Sequence, residues 1–165
     1  MTALAGGRLG AGEENWIDVR PLAAADLPSV LSLERSVYPT PWRTEHFARI
    51  LDGPGGIGWV AAIRRGEIVG YAVGWVAADE AELANIAVVA ERRKAGIGGR
   101  LLAVFRDAAR ARGARRLYLE VRASNRSARS FYEAHGFQLV GRRPAYYSRP
   151  REDALVMAVD LPGTG

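Results

Sequence analysis

Gly96, Gly98 and Gly99 follow Arg93-Lys94-Ala95 and open a segment with apolar residues at helical spacing. Just before them, Ile86-Ala87-Val88-Val89 is a largely β-branched apolar run and reads as a buried strand. A strand, a glycine-studded turn and a helix in succession aim bare backbone N–H groups at an anion. Glycines at 96 and 98 let a diphosphate lie against the main chain with no side chain in the way. The spacing, Arg93-x-x-Gly96-x-Gly98, is neither Gly-x-Gly-x-x-Gly nor a loop ending in Gly-Lys-Ser/Thr. A helix that merely starts near glycines would look the same, so other residues must decide.

Several chemistries are excluded by residue type. With no cysteine there is no disulfide, no thiolate metal site and no cysteine nucleophile. His46 and His135 are too few for a histidine-rich zinc site, and no metal is expected. The net charge of +5 comes from 22 arginines and one lysine spread along the chain. That spread favours composition over a phosphate-rich partner as its origin. No aromatic-studded strand of the kind that stacks single-stranded RNA is present, so direct nucleic-acid binding is not expected.

At 165 residues, with 48% apolar and 25% charged residues, the chain is expected to form one domain with a substantial core. Residues 1–14 are Gly/Ala-rich and aperiodic and are predicted to be a flexible tail, leaving 15–162 as the domain. No apolar run approaches the roughly 18 residues that span a bilayer, and Met1 to Gly12 lacks a signal-peptide pattern. No membrane partner is expected, and a cytoplasmic location follows by default.

The elements that must position the glycine turn follow in order. Trp16 to Arg20 alternates and predicts a first strand; Asp26 is the expected cap of a helix with Pro28 in its first turn. Two prolines keep Tyr38 to Trp42 non-helical, and a short helix is predicted over about 44–51. Residues 57–64 and 67–76 read as strands joined at Arg65-Gly66, and 81–89 as the fourth strand. The helix after the turn runs from about Gly96 to Arg112 and is stopped by Gly113. A fifth strand over 115–121 alternates Leu117, Leu119 and Val121 against Tyr118, Glu120 and Arg122; a fourth helix covers about 126–135. Phe137 to Val140, a stretch near Tyr146-Tyr147, and Ala154 to Val159 supply closing strands. The expected class is α/β (α+β), a mixed sheet of six or seven strands flanked by four helices.

Several motifs now align with one family. They are Asn85-Ile86-Ala87-Val88, the turn from Arg93 to Gly98, and Leu119-Glu120-Val121-Arg122-Ala123-Ser124-Asn125. Phe131-Tyr132-Glu133-Ala134-His135-Gly136-Phe137, Arg142-Arg143 with Tyr146-Tyr147, Glu152-Asp153-Ala154, and Pro41-Trp42 eight residues after Glu34 complete the set. Over roughly 16–160 the chain resembles the GCN5-related N-acetyltransferases, and within them the RimI type, which acetylates the N-terminal alanine of ribosomal small-subunit protein eighteen. The turn alone indicates the superfamily; Leu-Glu-Val-Arg-x-Ser-Asn followed by Tyr-Glu-x-x-Gly-Phe is far more specific. Arg93 stands where RimI proteins often have Gln.

The resemblance implies a sheet whose fourth and fifth strands splay apart to admit acetyl-CoA as co-substrate. It implies that Ile86, Ala87 and Val88 pair with the pantetheine arm and that Arg93, Lys94, Ala95, Gly96, Ile97, Gly98 and Gly99 cradle the diphosphate. Asn125 is implied as a further coenzyme contact, and a main-chain N–H near Val88 as the oxyanion donor. Glu120 matches the family's proton acceptor, although strand pattern alone reads it as solvent-facing. Tyr132 matches the proton donor to the departing thiolate, although it also reads as a helix core aromatic. Without cysteine, transfer proceeds by direct attack of the amine rather than through a cysteine acyl-enzyme. An ordinary carboxylate, acting through one water, suits an α-amine with pKa about 7.7–8.0 better than a lysine near 10.4. Glu34, Trp42, Tyr146 and Tyr147 are the expected acceptor walls, with loop packing the competing role for Trp42.

The expected function is therefore acetylation of a protein N-terminus, with a ribosomal protein as first candidate. A small-amine or lysine acceptor keeps the same fold and chemistry. A non-catalytic acyl-CoA-binding regulatory module would not need both Glu120 and Tyr132.

Overall fold

The protein is described by a computed structural model that covers residues 7–8, 16–63 and 66–163. Its elements are β1 (Gly7–Arg8), β2 (Trp16–Pro21), α1 (Leu27–Val37), α2 (Thr44–Leu51), β3 (Gly56–Ile63), β4 (Ile68–Ala77) and β5 (Glu80–Val88). They continue with α3 (Ile97–Ala111), β6 (Arg116–Arg122), α4 (Arg126–Ala134), β7 (Gln138–Ser148) and β8 (Arg151–Asp160). The expected tail over 1–14 lies outside the described residues except for Gly7 and Arg8, which pair antiparallel with Ile17 and Trp16. Arg65, expected in the turn between β3 and β4, is also outside them.

Among the described residues, seven full strands and the two-residue β1 form one mixed sheet in the order β1-β2-β3-β4-β5-β6-β8-β7, and four α-helices cover its faces, as the composition and periodicity predicted. Every neighbouring pair is antiparallel except β5 and β6. On one face α3 buries Leu101, Leu102, Phe105 and Ala109 against Leu117, Leu119 and Met157. On the other, α1 and α2 bury Val30, Leu33 and Phe47 against Val60, Tyr71 and Val73. Each buried Val, Leu, Phe or Met among these contributes roughly 1.5–3 kcal/mol when removed from water. The predicted stretches at 137–140 and 146–147 are parts of one strand, β7, interrupted by register shifts. Asp26 does not cap α1 with its side chain: its carboxylate accepts from Ala23 N at 2.8 Å and from Arg20 at 2.7 and 2.9 Å.

Two irregularities create the functional geometry. First, Val73 pairs with Asn85 and Gly74 with Leu83, so Ala84 is an extra residue that bulges β5. The bulge inverts the alternation. Ala81 and Leu83 point to the α3 face before it; Ile86 and Val88 do so after it, while Ala87 turns to the α1 face. Only glycine fits at 74, because a Cβ there would lie 1.9 Å from the Glu82 carbonyl oxygen. Second, β5 and β6 pair only at Glu80–Arg116, Ala81–Leu117 and Glu82–Tyr118. Beyond these, β5 follows β4 and β6 follows β8, opening the V-shaped gap expected between the fourth and fifth long strands.

Candidate active site

The open edge of β5 forms one wall of the gap. Val89 N–H donates to the Val69 carbonyl at 2.9 Å, so strand alternation turns the N–H groups of Val88 and Ile86 away from β4. Both carbonyls on this edge meet side-chain donors. Tyr38 Oη donates to the Ile86 carbonyl at 2.7 Å, and Arg93 Nε to that of Val88 at 3.3 Å. Ala87 pairs with Tyr71 of β4, so its backbone faces away from the gap and only its neighbours present polar groups there.

Beyond Val88 the chain makes a 3-10 turn and reaches Lys94 and Gly96, both left-handed at φ 63° and 82°. Gly96 precedes α3, which has no side-chain cap and no acidic residue in its first turn. The leading N–H groups of Ile97, Gly98 and Gly99 carry the positive end of the helix dipole and belong to the set a helix cannot pair internally. Lys94, Ala95 and Gly96 are exposed, while Ile97 is buried beneath them. Gly98 and Gly99 also serve packing: a Cβ on them would come within 3.4 Å of Phe131 Cζ and 3.1 Å of His135 Nε2. Asn125 is exposed and caps α4, its Oδ1 accepting from Ala128 N at 3.1 Å.

Glu120 lies on β6 just past the last residue paired with β5, facing away from α3. Its Oε1 sits 3.0 Å from Arg143 Nε, and its side chain is 16% exposed. Tyr132 is buried on α4, its ring edge-on to Phe131 and Phe137 at 5.3 and 5.6 Å. Burial, with a smaller contribution from Tyr147, holds its phenol well above the ordinary value and hence protonated. Tyr147 is pushed up to about 12 by burial and then by the Glu120 charge, placing it within electrostatic reach of both catalytic candidates. Tyr146, half exposed, stacks edge-on against Tyr147 at 5.1 Å; burial and its hydrogen bond to Glu120 raise its phenol.

Glu34 is a correction. It is 1% exposed, and its carboxylate accepts from Trp42 N at 3.0 Å, from Asn85 Nδ2 at 2.9 Å and from the Tyr71 hydroxyl. It therefore belongs to the frame between α1 and the sheet rather than to an acceptor wall. Trp42 is half-buried and packs edge-on to Phe47 at 5.3 Å, the loop-packing role. Tyr38, Tyr71 and Glu82 carry no motif signal, whereas Asn85 and Arg143 belong to motifs quoted above without a role of their own. Of the first three, only Tyr38, an aromatic at a proline-marked helix end, carries a local signal. The others matter through partners remote in sequence. Among the described residues no group of three or more His, Cys, Asp or Glu side chains is placed to hold a metal ion.

The profile of the Acetyltransferase (GNAT) family matches residues 27–137. The ribosomal protein bS18-alanine N-acetyltransferase of Escherichia coli is 34% identical over 150 residues, covering 87% of this chain and 97% of that protein. The crystal structure of the Escherichia coli enzyme superposes with a TM-score of 0.82 at 34% identity, covering 90% of this chain and 96% of that one. Arabidopsis thaliana NAA60, solved in complex with acetyl-CoA, shares the fold at 20% identity and a TM-score of 0.78, covering 89% and 99%. The chain belongs to the GCN5-related N-acetyltransferase family. Within it, the similarity is to RimI-type enzymes, and the activity is acetyl-CoA-dependent N-acetyl transfer.

Proposed function

We propose that this enzyme acetylates the α-amine of a protein N-terminus, with the N-terminal alanine of ribosomal small-subunit protein eighteen as first candidate. The observation that carries this is the place of Glu120 on β6, two residues past the last pair with β5, with the buried phenol of Tyr132 on the helix that follows that strand. Similarity to the Escherichia coli bS18-alanine acetyltransferase over nearly the whole domain supports the choice of acceptor.

Acetyl-CoA, when bound, supplies the thioester. Its diphosphate fits the uncapped start of α3 with the bare turn Lys94 to Gly99, helped by Arg93 and by the side-chain amide of Asn125. Its arm fits along Ile86 to Val88, and the Val88 N–H donates to the developing oxyanion. Glu120 takes the proton of the incoming ammonium through a water, an easy step for an α-amine. Tyr132 gives its proton to the departing thiolate. Burial disfavours the phenolate, but it disfavours an unpartnered thiolate too, so the transfer exchanges one buried anion for another. Tyr146 and Tyr147 then flank the acceptor beside Glu120.

Incubation with acetyl-CoA and peptides differing only in the first residue, against polyamines and lysine peptides, read by mass spectrometry, tests the acceptor. Glu120→Gln and Tyr132→Phe are expected to retain coenzyme binding while kcat falls about 10²–10⁴-fold, the usual size of general acid–base contributions. Undiminished kcat in both variants would overturn the catalytic roles.

A further inference from the structure

The cavity beside Glu120 carries a charge that the reaction does not require. It encloses about 320 Å³ where β5 and β6 part, on the face opposite α3, and its lining includes Glu80, Glu82, Glu120 and Arg143. Three carboxylates thus face one guanidinium in a chain whose overall charge is +5. The Glu82 carboxylate is half-buried and set on the same side of the sheet as Glu120, two residues before it by strand register. Nothing in the proton transfers assigned to Glu120 and Tyr132 uses it.

An uncompensated carboxylate in a partly buried cavity is retained at a cost unless a cation meets it. Arg143 is a poor permanent partner for Glu82. It comes from the edge strand β7, is 58% exposed, and directs its Nε to Glu120 rather than to Glu82. It adjoins Pro144 and Ala145, the latter in the left-handed region at φ 51°, within an irregular stretch of the strand. The donor's turn and the start of α3 occupy the other face, so an acceptor reaching Glu120 from this side passes Glu82.

We infer that Glu82 is a specificity-determining residue that, with Glu80 at the cavity rim, seats a second cationic group of the acceptor: a basic side chain close behind the amine that is acetylated. Arg143 holds this cavity's charge in the free enzyme and yields Glu120 when such an acceptor enters. The burial and neighbouring charge that raise the Glu82 carboxyl above its ordinary value are relieved by the same cation. This inference rests on the peptide N-terminus being the acceptor.

The test is kcat/KM for peptides with one arginine at position two, three or four, each against its citrulline counterpart, which keeps the shape and removes the charge. The wild type is expected to prefer arginine at one of these positions by about tenfold, the worth of a hydrogen bond between charged groups in a half-buried site. Glu82→Gln should bring that ratio to within about twofold. Glu82→Lys, made in parallel, should favour glutamate at the same position. Coenzyme affinity, measured on each variant, reports that the fold is intact. Equal kcat/KM for every arginine–citrulline pair would overturn the inference alone; so would a preference that survives Glu82→Gln. Failure of all peptides alongside turnover of small amines would overturn the acceptor assignment and this inference with it.

Discussion

Tyr38, at the end of α1, donates its hydroxyl to the main-chain carbonyl of Ile86, 48 residues away, at 2.7 Å. The bond ties the α1 side of the molecule to the open edge of β5. Burial raises the phenol far above its ordinary value, with smaller contributions from Tyr132 and Glu34, so the donor stays protonated. Tyr38→Phe removes one net hydrogen bond, and stability in urea should fall by about 1 kcal/mol. Because the strand edge loses its anchor, KM for acetyl-CoA should rise about threefold with kcat held. Unchanged stability and KM together would show that the bond does not hold the edge.

Gly98 separates the two uses of the glycine turn. A Cβ there would meet Phe131 Cζ at 3.4 Å, a contact a small ring movement relieves. Alanine also favours the helix by up to about 1 kcal/mol, so Gly98→Ala should leave the melting temperature nearly unchanged. Coenzyme affinity, measured by calorimetry, should nevertheless fall about tenfold or more as the methyl group holds the diphosphate off the backbone. At Gly96, by contrast, nothing lies within 4 Å, but φ is 82°, and alanine there should cost about 1 kcal/mol of stability. Wild-type coenzyme affinity in Gly98→Ala would contradict the cradle.

Glu34 tests the frame. Its carboxylate accepts from Tyr71, Asn85 and the Trp42 backbone in a site with almost no solvent. Glu34→Ala leaves these donors without an acceptor and should destabilise the protein by about 3 kcal/mol in chemical denaturation. In the folded fraction, KM for a peptide acceptor should stay at the wild-type value. A rise in that KM without loss of stability would return Glu34 to the acceptor wall.

Much of this architecture is legible in the sequence, because its signals are local. Period-3.6 apolar spacing defined α3, and alternation defined β6, since each places one face of an element in the core. Arg93 to Gly99 reads as an anion-binding turn because backbone exposure depends on residue type within a few positions. The motifs around Glu120 and Tyr132 named the chemistry through family resemblance, not through their pattern, which reads equally as a strand glutamate and a helix aromatic.

What only the tertiary structure decided is where polar groups find partners and where the sheet breaks. The bulge at Ala84 was invisible because Ala81 to Val89 is apolar enough to read as one unbroken strand; the extra residue shows only against Val73 and Gly74 of β4. Glu34 looked available as a lone glutamate near Pro-Trp, and became a frame residue once Tyr71 and Asn85, 37 and 51 residues on, closed over it. Glu82 and Glu120 share a cavity because β5 and β6 run parallel for three pairs and then part. By itself the sequence determined which chemical groups this enzyme owns and the local backbone that holds them. Long-range strand pairing decided which of those groups face the gap and which are spent inside the fold, since burial and hydrogen-bond satisfaction are settled between segments distant in the chain.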